Sequence, residues 1–378
     1  MTEVMTVNEK LIALAEKMKH SDPTKVKAMV GFDGYVDTVT HPVDKRTGPD
    51  SYIRVKTLAD YGQKFIDAAG LSMNIEMVPV NAKIGGIGAI LANSLSSLGF
   101  QMTYIGAMGK EALNPVYHDF QKRATLYSIS DPGLSDAIEF MDGKVISSKL
   151  EPLKDVNWDS LMKVLTVQQL SDIFDSCDFV AYGGWTLTIN VMSIWEGVIR
   201  EVFPLMKRQD KAQMFFDLSD PAKRTSEDIM DAIECIRRYQ EKFRVGMGFN
   251  EKESYEIVEL FGGKKEDFDS IVKVAEFLKE QLEISYVVIH PVKCACGVTE
   301  SEKALVEGPY CANPKLTTGA GDNFNAGFTL GMMMGFDLEE ALTMGTANSG
   351  FYVRNARSAN YQELCEFVKE WGDGTIRA

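Results

Sequence analysis

The stretch "KLTTGAGDNFNAGF", residues 315–328, places glycines and a carboxylate where a helical pattern begins. Gly319 and Gly321 let the backbone come close to a ligand and adopt conformations that a side chain would forbid. A helix that starts near Gly321 points its first amides outward, and together with the helix dipole these amides form an anion site. Asp322 is badly placed there for binding an anion. It is well placed as a base for a hydroxyl that attacks a phosphoryl group.

A structural alternative accounts for the same residues. The Gly-Ala-Gly sequence can form a tight turn, and Asp322 can cap the helix that follows it. The motif is not a dinucleotide fingerprint, because no full G-x-G-x-x-G opens from a strand, and the chain has no Walker A sequence. A dinucleotide-binding oxidoreductase is therefore not supported.

The elements that must position these residues follow a repeated order, in which a short apolar run precedes a helical pattern. Buried strands are predicted at 26–32, 102–108, 179–185, 212–218, 243–249 and 284–290. Helices are predicted over 86–98, 112–123, 189–207, 226–241, 251–260, 267–281, 323–334, 338–353 and 360–371. This alternation predicts an α/β fold, a doubly wound, mostly parallel sheet with helices on both faces. Ligands of such sheets bind at the carboxyl ends of the strands.

Two regions depart from the alternation. Residues 34–84 contain a predicted helix at 53–69, and residues 126–150 contain an Asp-Gly pair at 142–143 that is typical of a hairpin turn. We expect parts of both regions to form a small β-sheet lid on a single domain spanning 1–378. The alternative is two irregular surface insertions. The lid is also our candidate surface for a homodimer.

Composition excludes some classes of function. The 378 residues carry a formal net charge of −14, which disfavours nucleic-acid binding because that requires a basic surface. The first twenty residues lack the apolar core of a signal peptide, and no apolar run is long enough to span a bilayer. We therefore expect a cytoplasmic protein without a membrane partner. Six cysteines are too sparse for a disulfide framework, and Cys294 and Cys296 are predicted to be free thiols on a strand.

Several motifs together resemble the ribokinase-like (PfkB) family of carbohydrate kinases. "TTGAGDNFNAGF" is similar to the family's C-terminal signature, and "IGGIGAILANSLSSLGF" to its second signature, a glycine pair that opens a helix. Three weaker matches follow the family's order: "GFDGYVDTV" (31–39), "FFDLSDPAKRT" (215–225) and "GFNEKE" (248–253). The resemblance covers roughly residues 26–355.

The resemblance implies an ATP-dependent kinase that phosphorylates a hydroxyl of a sugar or sugar-like small molecule. It gives Asp322 the role of the base, as the residues alone suggest. It gives the amides of Gly319, Ala320 and Gly321 the role of stabilising the transferring phosphoryl group.

Asn250 and Glu253 match the family's N-x-x-E motif. The resemblance implies that they organise Mg²⁺ near the nucleotide phosphates. From the residues alone a capping box is favoured, with Asn250 as the cap and Glu253 three residues later.

The resemblance places the substrate at Asp33, Asp37, Gly85 and Gly86. A carboxylate can accept bonds from two sugar hydroxyls, which suits Asp33 or Asp37. Gly85 and Gly86 would let a sugar approach the backbone, or would instead allow a helix and a strand to pack closely.

Three positions differ from the family pattern. Ile90 stands where an asparagine contacts the substrate, Leu316 replaces an aspartate before the glycine motif, and Lys110 replaces another aspartate. These changes leave two alternatives open: a nucleoside or vitamin kinase of the same fold, or a non-catalytic ligand-binding protein.

Overall fold

The structure is a computed structural model, and residues 5–376 are described. Over that range the chain forms these strands: β1 (Lys27–Phe32), β2 (Tyr35–Gly48), β3 (Ser51–Arg54), β4 (Met77–Gly85), β5 (Gln101–Ala107), β6 (Ala124–Ser130), β7 (Gly133–Glu139), β8 (Lys144–Lys149), β9 (Phe179–Gly183), β10 (Ala212–Asp217), β11 (Phe243–Phe249), β12 (Tyr286–Ile289), β13 (Cys294–Val298) and β14 (Lys303–Glu307). The helices are α1 (Val7–Lys19), α2 (Leu58–Asp67), α3 (Ile87–Ser97), α4 (His118–Gln121), α5 (Trp158–Val164), α6 (Val167–Ser176), α7 (Met192–Gly197), α8 (Ser226–Tyr239), α9 (Glu251–Leu260), α10 (Ile271–Leu282), α11 (Ala320–Met333), α12 (Leu338–Asn355) and α13 (Tyr361–Gly372).

The larger sheet has the strand order β14-β13-β12-β11-β10-β9-β1-β5-β6. Its strands are parallel from β12 through to β6, whereas β13 is antiparallel to both of its neighbours. From β1 the chain builds outward to β5 and β6 on one side, and later to β9 and β10 on the other. The strand order therefore reverses between β1 and β9, and this reversal opens a crevice at their carboxyl ends.

Apolar side chains on alternate positions of the central strands point into two separate cores. Ala28 and Val30 pack with residues of α1, α3, α11, α12 and α13. Met29, and Ile105 on β5, belong to the core formed with α5 to α10. Because successive strand residues face opposite sides of a sheet, helices cover both faces, and the predicted doubly wound α/β fold is confirmed.

The smaller sheet forms the predicted lid. It has the order β3-β2-β7-β8, with β4 paired antiparallel to β2. The predicted Asp-Gly hairpin joins β7 and β8, and the Phe140 amide donates to Gly143 O at 2.9 Å across the turn. Leu58 and Tyr61 of α2 pack on Ile138 and Phe140, and this contact gives the lid a small core of its own.

One predicted helix is wrong. Over 112–123 only the four residues of α4 are α-helical, because Asn114 caps a short 3₁₀ turn that begins at Pro115. Helices α1, α5 and α6 were not predicted. The strands predicted along the larger sheet are all present, with bounds that shift by two residues at most.

Other boundaries move because tertiary packing overrides local pattern. The first residues of 126–150 belong to β6, an edge strand of the larger sheet, rather than to the lid. The helix predicted at 53–69 begins only at Leu58, after β3. Within 189–207, α7 gives way to a π turn and a 3₁₀ turn that contains Pro204.

The cysteines are unpaired, and Cys294 and Cys296 lie on β13, as predicted. In the described part of the chain, every helix is too short or too polar to cross a membrane.

Candidate active site

Two helix starts lie close together at the crevice beside β1. α3 begins after Gly86 and α11 after Gly319, and both glycines have a positive φ, of 99° and 95°. Ser94 Oγ of α3 hydrogen-bonds Asn323 Oδ1 of α11 at 2.9 Å, and the side chain of Ile90 lies against Gly319. The positive end of the α11 dipole is thus brought to the crevice beside the start of α3, which favours an anionic ligand at α11.

The turn before α11 leaves backbone amides without acceptors. The helix begins at Ala320, which confirms the predicted start near Gly321. The Ala320 amide donates to Thr317 O at 3.1 Å, whereas the amides of Gly319 and Gly321 have no acceptor within residues 5–376. A side chain at Gly319 would meet the Tyr352 hydroxyl, 2.8 Å from the position of a Cβ. Two of the three amides predicted to hold phosphoryl charge are therefore open to a ligand.

Asp322 lies in the first turn of α11 with 5% of its surface exposed. Its carboxylate receives no hydrogen bond from any described residue, and the cap position of the helix is Gly319. The alternative in which Asp322 caps the helix is therefore wrong. Burial holds the pKa of Asp322 well above its usual range, and the nearby carboxylates of Asp217 and Asp33 raise it further.

Asp33 follows β1 and is bound by the start of α3. Its Oδ2 accepts from the Ile87 amide at 2.7 Å, and its Oδ1 accepts from the amides of Gly88 at 3.0 Å and Ala89 at 3.3 Å. Burial raises the pKa of Asp33 to about 7 in spite of these bonds. Asp33 thus caps α3, and few of its acceptor positions remain for a substrate.

The glycines beside Asp33 make room for its carboxylate. A Cβ on Gly86 would lie 2.9 Å from Asp33 Oδ2, and a Cβ on Gly184 would lie 2.3 Å from the same atom. A Cβ on Gly85 would likewise lie 2.3 Å from the carboxyl carbon of Asp37. Gly85 therefore lies against Asp37, and Gly86 lies against Asp33. The sequence interpretations explained the two glycines by sugar binding or by helix packing, and neither predicted this contact with the carboxylates.

Asp37 lies on β2 of the lid, partly exposed to the crevice. It stands opposite Lys83 of β4 and Ser135 of β7 in the lid sheet, so these three side chains share one face. Burial raises the pKa of Asp37, and the positive charge of Lys83 opposes that shift. Unlike Asp33, this carboxylate is not bound to the end of a helix.

Asp217 ends β10 and is tied to α11. Its Oδ1 accepts from the Ser219 amide at 3.0 Å, and its Oδ2 accepts from Asn325 Nδ2 at 2.9 Å. Burial, together with the charge of Glu253, raises the pKa of Asp217 to about 8. Asn325 was not predicted, although it lies one helical turn after Asp322.

Asn250 and Glu253 form the capping box that the residues alone favoured. Asn250 Oδ1 accepts from the Glu253 amide, and Glu253 Oε2 accepts from the Asn250 amide, both at 2.9 Å. Glu253 Oε1 accepts from the Asp220 amide at 2.9 Å. The box places both side chains at the carboxyl end of β11, beside Asp217. Among the described residues, no group of three or more His, Cys, Asp or Glu side chains forms a ready metal site.

A cavity of about 360 Å³ opens next to the turn before α11. Its walls come from the loop after β12, the β13–β14 region and α12, and include Asn250, His290, Val292, Cys294, Pro309, Tyr310, Gly321, Phe324, Thr346 and Val353. The His290 ring lies 4.9 Å from the Phe324 ring, and burial lowers the pKa of His290 to about 4. The ring is therefore neutral at pH 7, and the cavity is largely apolar with one end at the open amides.

The lid reaches this turn. Lys144 of β8 donates to Thr317 Oγ1 at 3.3 Å and also contacts Thr318 Oγ1. The contact spans 173 positions of the chain, so no local pattern indicated it.

The three departures from the family pattern differ in position. Ile90 lies in the site, against Gly319. Leu316 is partly buried just before the turn. Lys110 is on the surface, where it forms an ion pair with Asp155.

Comparison with solved structures finds the same fold. The structure resembles Arabidopsis thaliana ribokinase complexed with ribose and ATP, with a TM-score of 0.64 and 15% identity over 91% of this chain and 99% of that one. It also resembles a mutant of Escherichia coli phosphofructokinase-2, with a TM-score of 0.62 and 16% identity over 93% and 99% of the two chains. Methanocaldococcus jannaschii nucleoside kinase has a TM-score of 0.59 and 14% identity over 92% and 99%.

Sequence comparison is more specific. The ketohexokinase of Haloferax volcanii is 27% identical over 373 residues, which cover 97% of this chain and 98% of that protein. The family model for prokaryotic ketohexokinase matches residues 7–371. Neither the nucleoside or vitamin kinase nor the non-catalytic protein is favoured by these matches. The chain belongs to the prokaryotic ketohexokinase family and is a carbohydrate kinase, a phosphotransferase with an alcohol group as acceptor.

Proposed function

We propose that this chain transfers the γ-phosphoryl group of Mg·ATP to a hydroxyl of a ketohexose. The acceptor class is taken from the family and from the Haloferax volcanii relative. One observation carries the chemical part of the proposal. The buried carboxylate of Asp322, which receives no hydrogen bond from the described part of the chain, lies beside two open amides at the start of a helix.

Asp322 is the base in this proposal. Burial and the neighbouring carboxylates raise its pKa, and a carboxylate with a raised pKa is a stronger base toward a hydroxyl proton. As the acceptor oxygen bonds to the γ-phosphorus, the hydroxyl proton passes to Asp322. The bond between that phosphorus and the bridging oxygen breaks, and ADP leaves. The amides of Gly319 and Gly321, with the start of α11, offset the charge on the phosphoryl oxygens. The Ala320 amide, which already donates to Thr317, contributes to the shape of the turn.

Asp37 binds hydroxyls of the acceptor, and the Gly85 backbone lies beside it. We assign Asp33 a positioning role, because its bonds hold the start of α3 and thereby the Gly86 turn. Ile90 provides an apolar wall at the point where the two helix starts meet. The apolar cavity beside α11 accommodates the adenine, since it joins the phosphate site at Gly321.

Asn250 and Glu253 fit a role in holding Mg²⁺ near the phosphates. Asp217 and Glu253 are buried next to each other, and no cationic side chain within residues 5–376 is paired with Asp217, so a bound cation would favour the ionised forms of both carboxylates. Mg²⁺ usually keeps several waters and takes only one or two protein carboxylates together with substrate phosphates. Bound there, the ion would neutralise charge on the phosphates. The capping bonds of Glu253 favour contact through water.

The metal proposal predicts that Glu253→Gln raises the Mg²⁺ concentration needed for half-maximal activity. The amide keeps one acceptor oxygen for the cap but loses the charge and the second acceptor, so the fold should be retained with a loss of stability of about 1–3 kcal/mol. A magnesium titration of activity and a thermal melt measure the two effects. Glu259→Gln on the exposed side of α9 is the control. An unaltered titration would leave Glu253 as a cap only.

A cytoplasmic location stays a prediction. We also propose that the protein forms a homodimer through the lid. Several apolar side chains of the lid are exposed, among them Ile53, Leu134 and Ile146. Sedimentation of the protein and of Leu134→Asp measures the assembly. A parent protein that sediments as a monomer at micromolar concentration would contradict a dimer.

The test of the main proposal is a turnover screen with Mg·ATP over ketohexoses, aldohexoses, pentoses and nucleosides. ADP release and the phosphorylated product are both measured, and Asp322→Asn is the matched control. We expect the highest kcat/KM with a ketohexose. Preference for a nucleoside, or turnover that persists unchanged in Asp322→Asn, would overturn the proposal.

A further inference from the structure

The ammonium group of Lys83 is buried in the crevice without a partner. The side chain belongs to β4 and stands opposite Asp37, on the face of the lid sheet that looks into the site. Its Nζ is shielded from solvent and has no hydrogen-bond acceptor within residues 5–376. A buried charge without a partner is unfavourable, so such groups are normally paired. This arrangement therefore points to a partner supplied by a ligand.

Other lysines of the lid are different. Lys149 is exposed and pairs with Asp136 at 3.3 Å. Lys144 shares the crevice face with Lys83, but its Nζ already donates to Thr317 and contacts Thr318. Lys83 is thus a cation held in the site by the lid and left unsatisfied by the described protein groups.

The charges that act on Lys83 indicate where its partner would lie. Burial lowers the pKa of Lys83 and the charge of Lys144 adds to that shift, whereas the carboxylates of Asp37, Glu139 of β7 and Asp322 oppose it. The ammonium is therefore within electrostatic reach of the carboxylate proposed to hold the acceptor and of the proposed base. An acceptor hydroxyl must be close to both of these carboxylates when it attacks. The phosphoryl group that it attacks passes through the same place.

We propose that Lys83 contacts the γ-phosphoryl group of ATP during transfer, as a catalytic residue supplied by the lid. The inference rests on the proposed phosphoryl transfer. The acceptor oxygen bonds to the γ-phosphorus, the bond to the bridging oxygen breaks, and the hydroxyl proton goes to Asp322. Lys83 stays protonated throughout and donates to a phosphoryl oxygen, which gives a short, charge-assisted bond. It adds a full positive charge where the open amides of Gly319 and Gly321 provide only partial ones.

The same cation could instead bind an acidic group on the acceptor. The proposed acceptor, a ketohexose, carries no acidic group, so the phosphoryl group is the anion that the proposed reaction brings to Lys83. The two possibilities differ in kinetics. A phosphoryl contact acts on kcat and on ATP affinity, whereas an acceptor contact acts on the KM of the acceptor.

The experiment compares Lys83→Met and Lys83→Arg with Lys149→Met as the control on the lid surface. Steady-state assays give kcat and the KM of the ketohexose, and calorimetry gives the affinities for ATP and ADP without acceptor. For Lys83→Met we expect a fall in kcat on the order of 10²–10³, as for loss of one transition-state donor. Its acceptor KM should change little, and its affinity for ATP should fall relative to ADP. Lys83→Arg should recover part of kcat, and Lys149→Met should match the parent.

Folding and function are separated in this design. Removing an unpaired buried ammonium should leave the melting temperature equal or higher, so loss of activity in Lys83→Met cannot be ascribed to unfolding. A folded Lys83→Met protein with the parent's kcat and the parent's ratio of ATP to ADP affinity would overturn the inference. A raised acceptor KM with an intact kcat would also overturn it. If the parent phosphorylates no sugar, the proposed function fails, and the ATP to ADP ratio still tests the contact of Lys83.

Discussion

Asp33 and Asp322 are both buried aspartates next to a glycine-led helix start, but their surroundings differ. Asp33 accepts bonds from three amides of α3. Asp322 sits inside the first turn of α11 and receives no hydrogen bond from the described residues. At Asp33 the carboxylate holds the start of α3 in place. At Asp322 the carboxylate and the amides of Gly319 and Gly321 remain available to a ligand. Similar short sequences therefore support structure in one region and chemistry in the other.

The largest expected effect is that of Asp322→Asn on turnover. A positioned base contributes on the order of 10²–10⁴ in rate, and the amide keeps the size of the side chain but cannot take the proton. The free energy of unfolding should not fall, because a buried carboxylate without donors is removed. Steady-state kinetics and denaturant unfolding measure the two quantities. A variant that loses stability together with activity would break the contrast with Asp33.

Asp37→Ala should weaken binding of the acceptor. Hydrogen bonds to charged groups contribute roughly 1.5–3 kcal/mol, so the KM of the sugar should rise by about 10- to 100-fold. The KM of ATP should stay near that of the parent, since Asp37 binds the acceptor and does not line the nucleotide cavity. Kinetics with each substrate varied in turn provide the measurement. An increase in the ATP KM instead would mean that the acceptor pocket has been misplaced.

Asp33→Asn should affect stability first. The carboxylate has two oxygens that serve three amides, whereas asparagine has one oxygen and presents an NH₂ group to an amide donor. We expect the free energy of unfolding to fall by about 2 kcal/mol, as for a buried donor left unsatisfied. Denaturant titration measures this, with Asp119→Asn on the surface as the control. Unchanged stability would show that the bonds to α3 are dispensable.

Asp217 gives a pH-dependent test of a third buried carboxylate. Its pKa is raised to about 8 in the folded protein from an ordinary value of 3.8. The folded state therefore holds a proton that the unfolded state has lost, and stability falls as the pH rises from about 4 to about 8, by up to roughly 1.4 kcal/mol per pH unit. Asp217→Asn should reduce that slope. Unfolding at pH 5 and at pH 7.5 compares parent and variant, with Glu259→Gln as control, and equal slopes would contradict the assignment.

Much of the fold could be predicted from the sequence because its strands are short apolar runs between helical patterns. The hairpin of the lid could be predicted from the Asp-Gly pair, because these two residues favour the backbone conformation of a tight hairpin turn. The helix at 112–123 failed because Pro115 begins a short 3₁₀ turn, which the apolar spacing did not reveal.

The site was only partly predictable. The start of α11 and its open amides followed from Gly319 and Gly321, because the physics of a helix end is local. The capping of α3 by Asp33 joins residues 54 positions apart, and the contact of Lys144 with the turn spans 173. Local pattern contains no signal for such pairs. The sequence around Lys83 does not distinguish it from the other lysines of the lid. Only the strand register, which places it opposite Asp37, shows its position in the site.

The rate of the phosphoryl-transfer step itself tests the central claim most directly. Rapid quenching of a single turnover, with ATP already bound and saturating ketohexose added, separates this step from product release. We predict that Asp322→Asn slows it on the order of 10²–10⁴. The folded fraction of Asp33→Asn should transfer at a rate within about tenfold of the parent, because a positioning residue acts only through the geometry of α3. An Asp322→Asn protein that transfers phosphoryl at the parent rate would contradict the account, and so would a folded Asp33→Asn protein as slow as Asp322→Asn.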